Sequence, residues 1–210
     1  MPERLMRPFL VLTLAFGGLL SSQMLTAQQF LTKPQAKPKK ATELLNKQDP
    51  PKVMPRVLAA ATPENVSVYI SLSKQRAYLK VGDDIAIDTP ISSGKRAGMT
   101  PQGTFVVVQK NADHRSSIYG NFVNRKGQIV RSGVSTKIDS APSGTFYQGA
   151  PMRWFMRFGD STTKAWRADG MHTGVLPGYP ASHGCVRLPG DIARMIYEKV
   201  VLGTRVIIGE

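Results

Sequence analysis

The sequence predicts a mostly β domain of two packed sheets with a single α-helix. Three observations carry this. From Val66 onward, apolar residues alternate with polar ones at period two, as half-buried strands require. Apolar runs at 103–109 (GTFVVVQ) and 152–158 (MRWFMRF) are rich in strand-forming residues. Only one stretch, 191–200 (DIARMIYEKV), carries convincing helical spacing.

Residues 1–27 read as a secretory signal. Arg4 and Arg7 form a basic start, and Phe9 to Leu20 is an uncharged apolar run of twelve residues. A membrane span needs about 20. Ala27 offers a small residue for cleavage. An uncleaved N-terminal anchor is the alternative, and it is the one membrane contact expected. Either way the rest of the chain is expected to be exported, to the periplasm or cell envelope. Residues 28–63 read as a linker, where Lys33-Pro34, Lys37-Pro38-Lys39-Lys40 and Pro50-Pro51 alternate stiffness with charge. The folded domain is expected over 64–210.

Within it, Val66, Val68 and Ile70 form the first strand, and Ser73-Lys74 marks a turn. Arg76 to Val81 is the second strand, and Gly82-Asp83-Asp84 turns the chain again. Ile85, Ile87 and Ile91 belong to a third strand that ends at Ser92-Ser93-Gly94. A loop over 95–102 leads into the buried run 103–109. His114 sits in a polar loop and reads as structural or as part of a cleft rim. Weak strands flank Lys126-Gly127. In 152–158, alternation sets Trp154, Met156 and Phe158 on one face and Arg153, Phe155 and Arg157 on the other. In the helix, Ile192, Met195, Ile196 and Lys199 share a face. Asp191 stands at its start, Gly203 ends it, and 206–208 is the last strand.

The 210 residues carry a formal charge of +14. Such a charge suits an anionic partner: a cell-wall polymer, a membrane surface or nucleic acid. The sequence shows no aromatic-rich RNP-like motif, zinc-finger spacing or recognition-helix pattern, so no nucleic-acid partner is expected. Cys185 is the only cysteine, which excludes an internal disulfide and flags a reactive thiol.

That cysteine lies in Ser182-His183-Gly184-Cys185-Val186-Arg187, and His172 lies thirteen residues before it. A thiol becomes a strong nucleophile when a nearby imidazole takes its proton. Gly184 permits a sharp turn, and the N–H groups of Gly184 and Cys185 can then point at one oxygen, as an oxyanion hole requires. A lone cysteine elsewhere reads as a small buried hydrophobe. Here the crowding of glycine, two histidines and arginine favours catalysis. Zinc bound by His172, His183 and Cys185 is the competing arrangement. His-Gly-Cys spacing fits thiolate chemistry better, so neither metal nor cofactor is expected.

The segment 170–189 (GMHTGVLPGYPASHGCVRLP) resembles the active-site signature of the L,D-transpeptidase catalytic domain (YkuD) family: a histidine, a variable loop, then Ser/Thr-His-Gly-Cys. Thr100-Pro101-Gln102-Gly103-Thr104-Phe105 resembles the family's TPxGxF turn and strand. Residues 67–94 resemble its opening strands and 203–208 its last, so the likeness spans 64–210. The nine residues between His172 and Ser182 make a shorter loop than the family's usual one.

The resemblance implies a β-sandwich of mixed sheets and a peptidoglycan tetrapeptide stem as substrate. Cys185 would be the nucleophile and His172 the base, its tautomer held by the Thr173 carbonyl. His183, with Gly184 and Ser182, would shape the oxyanion pocket. Arg187 can meet a stem carboxylate, and Tyr179 and Trp154 are candidate substrate contacts. The acceptor stays open among a second stem (a cross-link), an envelope protein (an anchor) and water (a carboxypeptidase). A wall amide hydrolase of the same fold and a non-catalytic wall-binding protein are the alternatives.

Overall fold

The structure is a computed structural model and describes residues 48–160 and 166–210. The expected secretory signal, and the linker as far as residue 47, lie outside the described residues.

The chain runs β1 (Lys52–Val53), α1 (Pro55–Ala59), β2 (Val66–Ser71), β3 (Arg76–Val81), β4 (Asp84–Pro90), β5 (Gly103–Asn111), β6 (Arg115–Val123), β7 (Ile129–Ser135), β8 (Phe146–Pro151), β9 (Phe155–Gly159), β10 (Trp166–Thr173), β11 (Val186–Leu188), α2 (Gly190–Lys199) and β12 (Arg205–Gly209). Nine strands form one sheet in the order β1-β4-β3-β2-β12-β5-β9-β10-β11, and β7-β6-β8 form a second. Pairing is mixed: β12 runs parallel to β2 and β10 to β11, and the other pairs are antiparallel. The expected mostly β fold of two sheets is therefore what the chain forms, but only the large sheet is mixed and the small one is wholly antiparallel.

The large sheet curls back on itself. Ser92, just beyond β4, exchanges backbone hydrogen bonds with Arg187 of the opposite edge strand at 3.0 and 3.1 Å. One core fills the curl. Val68 and Ile70, Ala77 and Leu79, Met156 and Phe158, Met171, Val186 and Leu188, and Val206 and Ile208 all point into it. These are alternate positions along their strands, the arrangement that period-two patterning dictates. The outward residues between them are left to build surfaces, and one of those surfaces is the site.

Several local expectations are corrected. Residues 48–63, at the end of the stretch read as linker, include β1 and α1. Val57 and Leu58 of α1 pack on the core. Ile85 is 40% exposed, because the β3–β4 register shifts at Leu79/Lys80 and turns Ala86 and Ile87 inward instead. In α2 the buried residues are Ile192, Ala193 and Ile196, and Met195 faces out. The helix ends at Lys199, and Gly203 (φ +91°) serves the turn into β12. Trp154 has φ +58°, so the strand expected from 152 starts three residues later, and alternation holds only from Phe155 onward.

Candidate active site

β10 and β11 build the site as a parallel pair. Met171 lies opposite Val186 and His172 opposite Arg187. Met171, Val186 and Leu188 fill the core face, so His172 and Arg187 project from the other face. Cys185 lies two residues before Arg187, just outside β11, and the Arg187 charge reaches its thiol. Continuing the register sets Cys185 beside Gly170, whose backbone hydrogen-bonds the thiol. On β9, Arg157 lies opposite Gly170. Glycine is required at 170, because a Cβ there would come within 2.5 Å of the Met156 carbonyl oxygen and 2.7 Å of the Phe155 ring.

His172 is buried, and its Nδ1 lies 2.7 Å from the Thr173 carbonyl oxygen. A carbonyl only accepts, so the ring proton sits on Nδ1 and Nε2 keeps its lone pair. The peptide bearing that oxygen is held by Gly174 N–H, which donates to Leu188 O at 3.0 Å. Burial pushes the His172 pKa down to about 4, against the raising effect of the Thr173 bond. Burial also pushes the Cys185 thiol up to about 11, although the Gly170 bond, Arg187 and Arg157 favour the thiolate. The ligand-free site therefore holds a neutral thiol and a neutral imidazole.

The loop that presents Cys185 is tied to the segment after β4. Ala181 and Ser182 N–H both donate to Ser93 O, at 3.0 and 2.9 Å, and Lys95 N–H donates to Ser182 O at 3.0 Å. Buried Thr100 accepts from Gly94 N–H at 2.8 Å and donates to Gly184 O at 2.7 Å. Ser182 Oγ accepts from Gly184 N–H at 3.1 Å and donates to Cys185 O at 2.5 Å. Gly184 N–H, one of the two donors expected to face an oxyanion, is engaged by Ser182 Oγ in this structure. Gly184 has φ +142°, and a Cβ on it would collide with Asp169 Oδ1.

His183 is exposed at the rim, between two elements. Its ring stacks on Tyr119 of β6 with centroids 4.2 Å apart, and its Nε2 lies 3.3 Å from Lys95 Nζ. An ammonium only donates, so Nε2 accepts. Burial, Lys95 and Arg187 lower the His183 pKa. His114 stacks on Phe155 at 4.2 Å, and its charge is felt at His172, so it belongs to the cleft rim. The three-stranded sheet thus covers one side of the cleft through Tyr119 and the neighbouring His114.

Tyr179 is exposed in its loop, and its carbonyl accepts from Ser92 Oγ at 2.8 Å. Trp154 does not join the site face. Its ring packs against Tyr197 and Arg194 of α2, on the core side of β10. Sequence reasoning missed Asp169, Thr100, Lys95 and Tyr119 as parts of the site. Asp169 lies just before the segment 170–190, which contains no Asp or Glu, and its nearness to Gly184 depends on the β10–β11 pairing. Among the described residues, no group of three His, Cys, Asp or Glu side chains is placed to hold a metal ion.

The family model of the L,D-transpeptidase catalytic domain, YkuD, matches residues 65–208, and the chain belongs to that family. No curated protein matches the sequence. An L,D-transpeptidase from Mycobacterium smegmatis is similar in fold, with TM-score 0.50 and 20% identity over 70% of this chain and 59% of that one. An L,D-transpeptidase from Stackebrandtia nassauensis gives TM-score 0.48 and 16% identity over 70% and 56%. One from Xylanimonas cellulosilytica gives TM-score 0.45 and 20% identity over 69% and 60%. The chain thus spans less than two thirds of each of these structures.

Proposed function

We propose that the protein is a cysteine-dependent L,D-transpeptidase of the cell envelope that acts on peptidoglycan tetrapeptide stems. The observation that carries this reading is the parallel β10–β11 pair. It pairs His172 with Arg187, two residues after Cys185, and the His172 Nδ1 proton is committed to the Thr173 carbonyl. Nε2 is then the atom available to take a proton.

The steps follow from the two neutral groups. Cys185 Sγ attacks the carbonyl carbon of the stem's diamino acid while Nε2 of His172 takes the thiol proton. Because burial disfavours both a lone thiolate and a lone imidazolium, proton transfer accompanies attack rather than preceding it. The carbonyl π electrons move to oxygen and return as the C–N bond to D-alanine breaks. His172 delivers its proton to the departing amine, leaving a thioester on Cys185. An amine acceptor attacks the thioester, gives up its proton through His172, and the thiol is restored. Arg187, beside His172 in register, supplies a fixed positive charge for a stem carboxylate. An acceptor amine from a second stem gives a cross-link, and one from an envelope protein gives an anchored protein.

The test mixes full-length protein with a disaccharide–tetrapeptide fragment, in parallel with Cys185→Ala. Wild type should release D-alanine and carry a thioester mass on Cys185, and the variant should do neither. A dimeric product indicates transpeptidation and a tripeptide indicates hydrolysis. A folded wild-type protein that neither releases D-alanine nor becomes acylated overturns the proposal.

A further inference from the structure

Away from the catalytic face, the outer side of β12, β2 and β3 has the makings of a binding surface. Their inward residues are in the core, so Ile207, Tyr69 and Tyr78, and likewise Arg205 and Lys80, face out. The register puts Ile207, Tyr69 and Tyr78 in one cross-strand row, and Arg205, Ser67 and Lys80 in the next. The two tyrosine rings lie 6.0 Å apart with 24° between their planes. Tyr69 lies down across β12: its hydroxyl donates to Glu210 O at 3.2 Å and sits 3.6 Å from where a Gly209 Cβ would be.

A groove of about 500 Å³ follows these rows, with Lys74 on its wall. A second groove of about 620 Å³ shares Ser67, Gly82, Asp83 and Arg205 with the first and continues to the 201–204 loop. The two are continuous through these shared residues and make one trough. The trough has three cations, Lys74, Lys80 and Arg205, against two carboxylates, Glu64 at the far end and Asp83, which lies 4.0 Å from Lys80. The partner that fits is therefore an extended chain with flat apolar faces, hydroxyls and negative charge. A pyranose polymer bearing acidic peptides has all of these. Its C–H faces pack on tyrosine rings, and its carboxylates meet the cations.

We propose that this trough docks the glycan strand of peptidoglycan. The identity of the polymer rests on the function proposed above. The strand order separates β12-β2-β3 from the catalytic β9-β10-β11 by β5, so docking leaves the site open. A held strand raises the local concentration of stems, which increases turnover on polymer without altering chemistry on free peptide.

The test co-sediments full-length protein with lipid-free sacculi and measures D-alanine release from a tetrapeptide that carries no glycan. Lys80→Glu combined with Arg205→Glu, and separately Tyr78→Ala, should each weaken sacculus binding by about tenfold, the scale of losing one interface anchor. Release from the glycan-free peptide should not change, and that result also reports a folded protein. If Tyr78→Ala does not fold, the exposed charge reversal decides alone. Unchanged sacculus binding by the charge-reversed protein overturns the docking site. So does displacement of wild type by free stem peptide, which assigns the contact to the catalytic cleft, or binding to single-stranded RNA with none to sacculi. A wild type that binds through the trough but releases no D-alanine leaves docking standing and overturns the catalytic proposal instead.

Discussion

His172 Nδ1 lies 2.7 Å from the carbonyl oxygen of Thr173, its own neighbour in β10. The acceptor that fixes the imidazole is thus a backbone atom of the same strand. Gly174 N–H, on the same peptide unit, is anchored to Leu188 O at 3.0 Å. A backbone acceptor orients the ring without placing a full negative charge beside it, so the bond offsets only part of the burial that keeps the ring neutral.

That neutrality is measurable at Cys185. Its thiol is pushed up to about 11 and His172 down to about 4. Alkylation of the ligand-free protein by a small haloacetamide should climb steeply above about pH 9, because the thiolate is the reactive form. A high plateau across mildly acidic pH would instead reveal a preformed thiolate–imidazolium pair.

The same shifts make stability depend on pH. His172 falls from 6.5 unfolded to about 4 folded. Between those values the unfolded chain binds more protons, so stability is full above about 6.5 and declines as pH drops toward 4. The size is of order 2–3 kcal/mol. Cys185 acts oppositely: the folded state holds its proton longer, and stability declines as pH rises from 9 to about 11. Denaturant melts across both windows should show these slopes, with His172→Gln flattening the acid one. An acid limb unchanged in that variant would assign it to other groups.

Thr100 joins two loops through one hydroxyl, accepting from Gly94 and donating to Gly184. Thr100→Val leaves both partners without it in a buried place, and should cost about 1–3 kcal/mol. It should also lower kcat more than it raises KM, since the turn carrying Cys185 loses its support. Thr100→Ser should restore most of both. A valine variant with wild-type melting and kinetics would show that the hydroxyl is dispensable.

Gly184→Ala should be severe. The backbone sits at φ +142°, and the added methyl meets the Asp169 carboxylate. The strain alone is worth about 1–3 kcal/mol, and relief must move the cysteine turn. Acylation of Cys185 should fall by orders of magnitude while the rest of the sheet stays folded, as near-wild-type circular dichroism would report. Normal acylation would mean that the turn tolerates another geometry.

Arg187 stands in register with His172, and its charge reaches both Cys185 and His183. Arg187→Met should raise KM for a tetrapeptide with a free C-terminal carboxylate by about tenfold, the scale of one charge-assisted contact. KM for the C-terminal amide should move far less. Equal changes for both peptides would assign Arg187 a structural role.

Much of the fold was legible because alternation is a local property. Val66, Val68 and Ile70, or Met156 and Phe158, announce their inward face within a few residues, and the structure buries all of them. β8 was not legible, since FYQGAP has no such pattern. Nor was the outward turn of Ile85, which follows from a register shift between two strands. Trp154 looked like a strand residue by composition, but its backbone adopts φ +58° at the start of β9.

The sequence by itself determined which chemistry is on offer: one thiol, two histidines in the residues before it, a glycine beside it, and an alternating pattern that makes a sheet. The tertiary structure decided which atoms meet. Parallel pairing of β10 with β11 brought Cys185 beside Gly170, and the turn engaged Gly184 N–H with Ser182. The curl of the sheet carried Ser92 and Thr100 to the cysteine loop. The physical reason is range. Side-chain identity and strand period are set by neighbours in sequence. Hydrogen-bond partners across strands, and the burial that shifts both pKa values, exist only once distant segments have closed around one core.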